Sequence, residues 1–350
     1  MSVIDTFFSY FSKDMAIDLG TSNTSVYIKG KGVIIDEPSV IALNNRNNQV
    51  IAVGEQAKMM IGKTPPHITA SKPLTAGVIS DFEAAEEMIK YFVQKVHQEN
   101  FTLLPRPKII MSIPLDITEV EKKAVEDVVL QAGASQVMLI EEPIATAIGA
   151  RLPIQIASAN MVVNIGGGVT NIAVISLEGI VAWRSLKIAG EEMDHNIINY
   201  IRDTFNLLLG DTAAENIKKR IGTAYPMREQ SELKIQGRDV LSGLPREVTI
   251  SSEHIRTAID RSIKAIVNAI KDTLESTPPE LAAEIFDQGV YLAGGGALLH
   301  DLDKRIAQEI QIPVHIIDDP MTCVIRGMGM VLEDLPNLKS VLTNTTRDER

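Results

Sequence analysis

Three glycine-containing turns, each directly after a short apolar strand, constrain this chain of 350 residues more than any other feature of its sequence. The turns lie at 20–23, 166–168 and 294–296, and the strands predicted before them are Met15–Leu19, Asn160–Ile165 and Val290–Ala293. Glycine permits positive φ and has no Cβ, so the N–H groups of such a turn can approach a polyphosphate. One such turn alone would indicate only a tight bend, whereas three in the same context favour a nucleotide site. None matches GxxxxGK[ST] or GxGxxG, so neither a P-loop nor a Rossmann dinucleotide site is indicated.

The alternation of apolar strands with helical segments predicts an α/β fold. The strand Lys108–Ile113 precedes a helix at about 118–132, and a short strand at 137–140 leads into a helix that starts near Pro143. The strand–turn–strand pattern of 15–29 returns at 160–177, after which the chain again alternates strands and helices. A repeat of this kind predicts a duplicated fold of two lobes with a cleft between them, although so short a repeat could also arise by chance.

Composition excludes several classes of function. Lys and Arg number 34 against 45 Asp and Glu, which gives a net charge of −11 and argues against a nucleic-acid partner. A single cysteine, Cys323, excludes a disulfide framework and a CxxC site, and the six histidines show no metal-binding spacing. No apolar run reaches the roughly 18 residues of a membrane span, and the N-terminus lacks the features of a secretory signal. We therefore expect a cytoplasmic protein.

Six motifs occur in an order and at spacings similar to those of the MreB family of bacterial actins. They are AIDLGTSNT (16–24), the EEP within LIEEPIATAIGA (139–150), NIGGGVTNIAV (164–174), AENIKKRIG (214–222), LAGGGALL (292–299) and DDPMTCV (318–324). The resemblance extends from about residue 14 to 342. It implies the actin/Hsp70/sugar-kinase fold, in which two lobes built on duplicated ribonuclease-H-like domains close on ATP or ADP and Mg²⁺.

The resemblance also implies roles for particular residues. Asp18 would lie near the metal and its water ligands, and Glu142 would position the water that attacks the γ-phosphate. Without the resemblance, Glu142 reads as an acidic residue favoured in the first turn of a helix. The residues implied to bind the nucleotide are Thr21, Ser22 and Asn23 in the first turn, Gly166, Gly167 and Gly168 in the second, Glu215 and Lys218 beside the adenosine, and Gly295, Gly296 and Ala297 in the third turn.

The second phosphate loop departs from the pattern DIGGGTTEVAV that is usual in this family. Asn164 stands in place of Asp, Val169 in place of Thr, and Asn171 in place of Glu. An uncharged amide at 164 weakens attraction for Mg²⁺, and valine cannot share a hydrogen bond with the attacking water. Losing one such contact costs about 10²–10³ in rate. We therefore predict slow or impaired ATP hydrolysis with nucleotide binding preserved; the alternative is that neighbouring groups compensate and hydrolysis is normal.

Two apolar segments are candidates for membrane contact. On a helical wheel of about 100° per residue, the N-terminal apolar residues fall within an arc of roughly 140°. Such a helix can lie in the lipid interface, although it could instead dock on the body of the protein. A second segment lies in the loop before the strand at Lys108. The residues are Val3, Ile4, Phe7, Phe8 and Phe11 in the first segment and Phe101, Leu103 and Leu104 in the second.

These observations favour an ATP-binding actin-like cytoskeletal protein whose filaments govern cell shape on the inner face of the cytoplasmic membrane. The resemblance implies paired protofilaments, and the divergent loop suggests work beside paralogous actins. The alternatives are a filament subunit that drives motility of a wall-less cell and a small-molecule kinase of the same fold. An Hsp70-like chaperone would need a further substrate domain. The predicted divisions are an N-terminal segment 1–13, lobe I at 14–150 with a small subdomain at 35–74, lobe II at 151–342 with a small subdomain at 191–254, and a polar tail at 343–350.

Overall fold

The computed structural model describes residues 13–97, 106–226 and 231–343 and divides into two compact units. The first unit contains the described residues up to Ser158, the segment Ile175–Ile180 and the residues from Met321 onward. The second unit contains Ala159–Val174 and Val181–Pro320. These two units are assembled from segments that are not consecutive in the chain. The predicted division into lobe I, lobe II and their small subdomains stays a prediction.

The strands follow one another along the described chain from Met15 to Thr343. They are β1 (Met15–Leu19), β2 (Asn23–Ile28), β3 (Gly32–Pro38), β4 (Ile41–Asn44), β5 (Gln49–Val53), β6 (Ile68–Ser71), β7 (Leu74–Thr75), β8 (Val78–Ile79), β9 (Lys108–Ile113), β10 (Gln136–Glu141), β11 (Asn160–Ile165), β12 (Thr170–Ser176), β13 (Gly179–Leu186), β14 (Leu207–Leu208), β15 (Glu232–Asp239), β16 (Pro245–Ser251), β17 (Val290–Ala293), β18 (Val314–Ile316) and β19 (Leu342–Thr343). The strands predicted before the three glycine turns are confirmed at their predicted bounds.

The α-helices alternate with these strands, as predicted. They are α1 (Glu55–Lys58), α2 (Phe82–His97), α3 (Glu119–Gln131), α4 (Glu142–Gly149), α5 (Gly190–Phe205), α6 (Asp211–Ile221), α7 (Ser252–Glu275), α8 (Pro279–Gln288), α9 (Leu302–Ile310) and α10 (Cys323–Glu333). Short 3₁₀ turns follow β17 at Gly295–Leu298 and precede β19 at Lys339–Val341. Helix α3 starts at a capping box in which Thr118 and Glu121 satisfy each other's backbone N–H groups.

The main sheet of the first unit has the strand order β19-β10-β9-β1-β2-β3. Strands β1, β9 and β10 are parallel, whereas β1–β2 and β2–β3 are antiparallel. Since β1 and β10 both run parallel to β9, all three strands end at the same edge of the sheet. Ile17 is level with Met111, and Ile140 is level with Ser112. The first glycine turn and the start of α4 therefore lie at the carboxyl edge of one sheet.

The main sheet of the second unit has the order β13-β12-β11-β17-β18. Strands β11, β17 and β18 are parallel. This order matches β3-β2-β1-β9-β10 of the first unit strand for strand, with β11 in the place of β1 and β17 in the place of β9. The duplicated fold predicted from the repeated turn is confirmed.

Each unit has its own hydrophobic core. In the first unit, α2 buries Ala85, Met88, Phe92 and Val96 on one face at the spacing of helical turns. In the second unit, α7 buries a stripe of isoleucines in the same way, namely Ile255, Ile259, Ile263, Ile266 and Ile270. Smaller sheets accompany the cores: β5-β4-β6 and β7-β8 in the first unit, and β14-β15-β16 in the second.

Helix α10 returns the chain to the first unit and packs closely against α4. A Cβ at Gly327 would overlap the carbonyl oxygen of Ala145, and a Cβ at Gly149 would overlap the carbonyl oxygen of Cys323. The buried Cys323 thiol lies 3.2 Å from the carbonyl oxygen of Thr146. Glycines at the crossing thus allow the two backbones to meet, and α10 supports the helix that begins with Glu142.

Both predicted membrane-facing segments, 3–11 and 101–104, lie outside the described residues. Within the part of the chain that the structure describes, no helix combines the length and the apolar character needed to span a bilayer.

Candidate functional site

Hydrogen bonds from other residues of the same unit stabilise the backbone of the first glycine turn. Gly20 N–H donates to the carbonyl oxygen of Asn23 at 3.1 Å, and a Cβ at Gly20 would lie only 2.7 Å from that oxygen. The Thr21 hydroxyl accepts a hydrogen bond from Gly77 N–H at 3.0 Å, and Ser22 O accepts one from the Ser39 amide at 2.9 Å. The turn therefore has a fixed backbone before any ligand arrives.

Asp18 lies at the end of β1, beside the first turn. Ser112 Oγ donates to Asp18 Oδ1 at 2.6 Å. Burial raises the pKa of Asp18, the hydrogen bond from Ser112 lowers it, and the negative charge of Asp36 raises it, so that together these effects bring the pKa to about 6. Asp36 itself accepts hydrogen bonds from Asn23 Nδ2 and Ser25 Oγ, both at 3.1 Å. The negative charges of Asp18 and Asp36 therefore repel each other near the turn, so that a cation beside them would be favourable.

Glu142 is the first residue of α4 and is partly buried. Pro143 follows it, as is common at helix starts, and the Thr146 hydroxyl donates to the Glu142 carbonyl oxygen at 2.8 Å. Burial raises the pKa of the preceding Glu141, and Lys122 partly offsets that effect. Glu142 lies at the same sheet edge as Asp18, because it follows β10 directly. Its assigned part in hydrolysis stays a prediction.

The second and third glycine turns adjoin within the second unit. Asn164 on β11 is level with Ala293 on β17, so the two turns leave neighbouring parallel strands at the same edge. Gly294 has a φ of 79°, and a Cβ there would lie 2.5 Å from Asn164 Oδ1. A Cβ at Gly296 would overlap the side chain of Ile165. The backbone of the third turn thus packs directly on the strand that carries the second.

The two remaining predicted residues, Glu215 and Lys218, lie on helix α6 of the second unit. Glu215 Oε1 pairs with Lys219 Nζ at 2.6 Å. Lys218 Nζ pairs with Asp194 Oδ1 at 2.8 Å and donates to the carbonyl oxygen of Gly190 at 2.5 Å. The end of α6 is joined to the segment after the third turn, because Ala224 N–H donates to His300 O at 2.8 Å.

Four residues that contact the predicted ones were not themselves predicted: Ser112 and Asp36 in the first unit, and Gly190 and Asp194 in the second. Ser112 is the single hydroxyl in an otherwise apolar run after Lys108, and that contrast could have indicated it. Gly190 stands where a strand gives way to a helix. Nothing in the local sequence distinguishes Asp36 or Asp194 from the other acidic residues of the chain, since their partners come from other elements.

The three departures from the family's loop pattern are all buried. Asn164 is 3% exposed, Val169 is 7% exposed and Asn171 is fully buried. Val169 closes the second turn through its backbone, since its carbonyl oxygen accepts from Gly166 N–H at 2.9 Å. The turn therefore forms without a threonine hydroxyl at 169. Across 13–97, 106–226 and 231–343, no three His, Cys, Asp or Glu side chains gather into a metal site made by protein ligands alone.

The chain resembles known proteins over most of its length. Residues 12–340 match the family model "MreB/Mbl protein". Cell shape-determining protein Mbl of Bacillus cereus is 46% identical over 328 residues, which cover 94% of this chain and 98% of the relative. Cell shape-determining protein MreB of Escherichia coli K12 is 44% identical over 335 residues, covering 95% and 96% of the two chains.

Solved structures share the fold. MreB5 of Spiroplasma citri bound to ADP has a TM-score of 0.88 and 36% identity, and the match covers 94% of this chain and 98% of that one. The same protein has been solved with AMPPNP, with the same agreement. The MamK double helical filament matches with a TM-score of 0.77 at 21% identity, over 92% of this chain and 99% of MamK, which shows a shared fold alone. The predicted actin-like fold is confirmed, and this chain belongs to the MreB/Mbl family of cell shape-determining actin-like proteins.

Proposed function

We propose that this chain is a filament subunit that binds ATP or ADP and works on the inner face of the cytoplasmic membrane. The observation that carries the proposal is the pair of glycine turns on β11 and β17, which adjoin at one sheet edge in a member of this family. A relative at 36% identity was solved with ADP and with AMPPNP, which supports adenine nucleotide as the ligand. Assembly into paired protofilaments is part of the same proposal.

The nucleotide-binding roles proposed from the sequence fit the geometry of each unit. Thr21, Ser22 and Asn23 belong to a turn whose backbone is already fixed, and the turns at 166–168 and 295–297 share an edge. Mg²⁺ fits the first unit for a separate reason. A hydrated divalent cation would relieve the unfavourable burial of the Asp18 carboxylate and its repulsion by Asp36. The weakened metal role predicted for Asn164, on β11 of the second unit, stays a prediction.

A direct test of this function combines binding with assembly. We expect calorimetry on the full chain to detect ATP uptake, and ATP to increase the amount of protein that pellets as filaments visible by electron microscopy. A kinase of the same fold would bind ATP without pelleting. Absence of adenine nucleotide uptake at millimolar concentration would contradict the proposal.

We also propose that hydrolysis is slow. Phosphoryl transfer depends on positioning of the attacking water and on neutralisation of charge. Buried Val169 offers no hydroxyl, and Asn164 offers no charge. Binding does not depend on these side chains in the same way, because the backbone bond from Gly166 N–H to Val169 O closes the turn.

The double variant Asn164→Asp/Val169→Thr tests this proposal. We expect its rate of steady-state phosphate release to exceed that of the wild type by about 10²-fold, the size of one lost oxyanion or water contact. Adding Glu142→Gln should remove the gain. Val181→Thr is the control, because it makes the same chemical change at a side chain that is 41% exposed. A wild-type rate equal to that of the double variant would refute slow hydrolysis.

Membrane attachment is proposed from the two apolar segments of the sequence. Their aromatic and aliphatic side chains suit insertion into a lipid interface. We expect Phe7→Ser/Phe8→Ser to reduce co-sedimentation with liposomes, and Phe101→Ser/Leu104→Ser to reduce it independently. Phe286→Ser is a matched control, since Phe286 is 60% exposed on α8 of the second unit. Undiminished binding by both double variants would count against these segments.

A further inference from the structure

The second glycine turn is bonded to the first residues of helix α5. Gly190 N–H donates to the carbonyl oxygen of Gly166 at 3.1 Å, and Glu191 N–H donates to that of Gly167 at 2.8 Å. In a trans peptide, the N–H points opposite to the C=O of the same plane. Both carbonyls point toward α5, so the N–H groups of Gly167 and Gly168 point away from it. Helix α5 thereby orients the two donors that a phosphate group would need.

Helix α6 in turn fixes the start of α5 through one side chain. Lys218 Nζ donates to the carbonyl oxygen of Gly190 at 2.5 Å and pairs with Asp194 Oδ1 at 2.8 Å. The two side chains are only 14% and 12% exposed. A largely buried ion pair of this kind has its geometry set by its surroundings, and loss of one partner leaves the other charge uncompensated.

A side chain at residue 190 would crowd this contact. A Cβ there would lie 3.3 Å from Gly166 O, which is closer than such contacts usually are, and 3.4 Å from Lys218 Nζ. The backbone of Lys218 is also held, because Gly222 N–H donates to its carbonyl oxygen at 2.9 Å where α6 ends. Two of the three N–H donors of the Lys218 ammonium group bond to Gly190 O and Asp194 Oδ1, both within the second unit.

We propose that Lys218 and Asp194 form a positioning pair that holds the second glycine turn in the geometry that receives the phosphate chain of a nucleoside di- or triphosphate. This inference rests on the proposed nucleotide binding. It also changes the role of Lys218, which the family resemblance implied to be contact with the adenosine. Lys218 acts through Gly190 on the turn, and its effect is on the phosphates and not on the base.

Nucleotide titration of the full chain distinguishes an effect of Lys218 on phosphate binding from a direct contact with the base. In Lys218→Met, we expect the affinity for ATP and ADP to fall at least tenfold while the ratio of ATP to GTP affinity stays as in the wild type. Lys264→Met, which removes a lysine that pairs with Asp260 on α7 of the same unit, is the matched control and should bind within twofold of the wild type. A loss confined to adenine nucleotides, with the ATP-to-GTP ratio reduced, would mean that Lys218 contacts the base and would overturn the proposal.

Amide hydrogen exchange without nucleotide gives a readout that a general loss of stability does not mimic. The double variant Lys218→Met/Asp194→Leu removes both charges, so we expect its melting temperature to recover relative to Lys218→Met. Its Gly190 and Glu191 amides should nevertheless exchange at least tenfold faster than in the wild type, and its ATP affinity should stay low. Wild-type exchange at these two amides in the double variant would overturn the positioning role.

Failure of this inference can be told apart from failure of the proposed function. If the wild type binds no adenine nucleotide, the proposed function is wrong. The second glycine turn that Lys218 and Asp194 position then has no phosphate chain to receive. If the wild type binds ATP but Lys218→Met binds it equally well, nucleotide binding stands and the positioning pair is wrong.

Discussion

His97, the last residue of α2, is a buried histidine whose two ring nitrogens both contact backbone groups. Nε2 accepts a hydrogen bond from Lys13 N–H at 3.2 Å, so Nδ1 carries the proton and donates to Val93 O at 2.8 Å. Burial lowers the pKa of His97, the Lys13 ammonium lowers it further, and the bond to Val93 opposes them. The neutral ring therefore joins the first described residue of the chain to the end of a core helix.

This arrangement predicts a pH dependence of stability. Because the pKa is lower in the folded state than the ordinary value of about 6.5, the unfolded chain binds more protons as the pH falls. Between pH 7 and pH 5, His97 therefore lowers the free energy of unfolding, whereas Asp18, whose pKa is raised in the folded state, acts in the opposite direction. We expect the free energy of unfolding, measured with urea, to fall further or rise less over this range in the wild type than in His97→Gln. His195→Gln, a change at an exposed histidine on α5, should keep the wild-type slope. Equal slopes for all three proteins would contradict the prediction.

At the scale of elements, the crossing of α4 and α10 depends on two glycines that have no room for a side chain. We expect Gly327→Ala to lower the free energy of unfolding by about 3 kcal/mol or more, because the added methyl group meets the backbone of Ala145 and cannot be relieved by a rotamer change. Chemical denaturation measures the effect.

The control for this crossing is Gly179→Ala in the first unit. A Cβ there would lie 3.7 Å from Ser176 O, an ordinary contact, and the substitution should change stability by less than about 1 kcal/mol. A Gly327→Ala protein as stable as this control would show that the two helices can move apart at little cost.

At the scale of the whole molecule, the second unit is nearly contiguous in sequence and the first is not. A fragment spanning Ala159–Pro320 contains the complete core of the second unit. A fragment ending at Ser158 lacks α10 and β19, which leaves the glycine face of α4 and the edge of β10 uncovered.

We therefore expect the fragment 159–320 to unfold cooperatively on heating and to give dispersed amide signals by NMR, as an independent domain does. The fragment 1–158 should show neither property until a peptide covering 321–350 is added. Cooperative unfolding of 1–158 by itself would contradict this prediction.

Local sequence determined a large part of the fold and the location of the glycine turns. Strand bounds at Met15–Leu19, Lys108–Ile113 and Asn160–Ile165 follow from runs of apolar residues closed by glycine or proline, and such signals lie within a few neighbouring positions. The repeated turn likewise predicted a duplicated fold, because equal local patterns lead to equal supersecondary structure. The six motifs of the actin-like family could also be found in the sequence, with three departures in the second phosphate loop.

Only the tertiary structure decided which distant residues meet. The bond from Ser112 to Asp18, the pairing of Lys218 with Asp194, and the return of α10 to the first unit join positions that no periodicity relates. Their partners are selected by the register of parallel strands and by the close approach of helices, and these are properties of the packed chain. For that reason Lys218 could be identified from its motif, whereas its contact with Gly190 and the second glycine turn could be read only from the folded molecule.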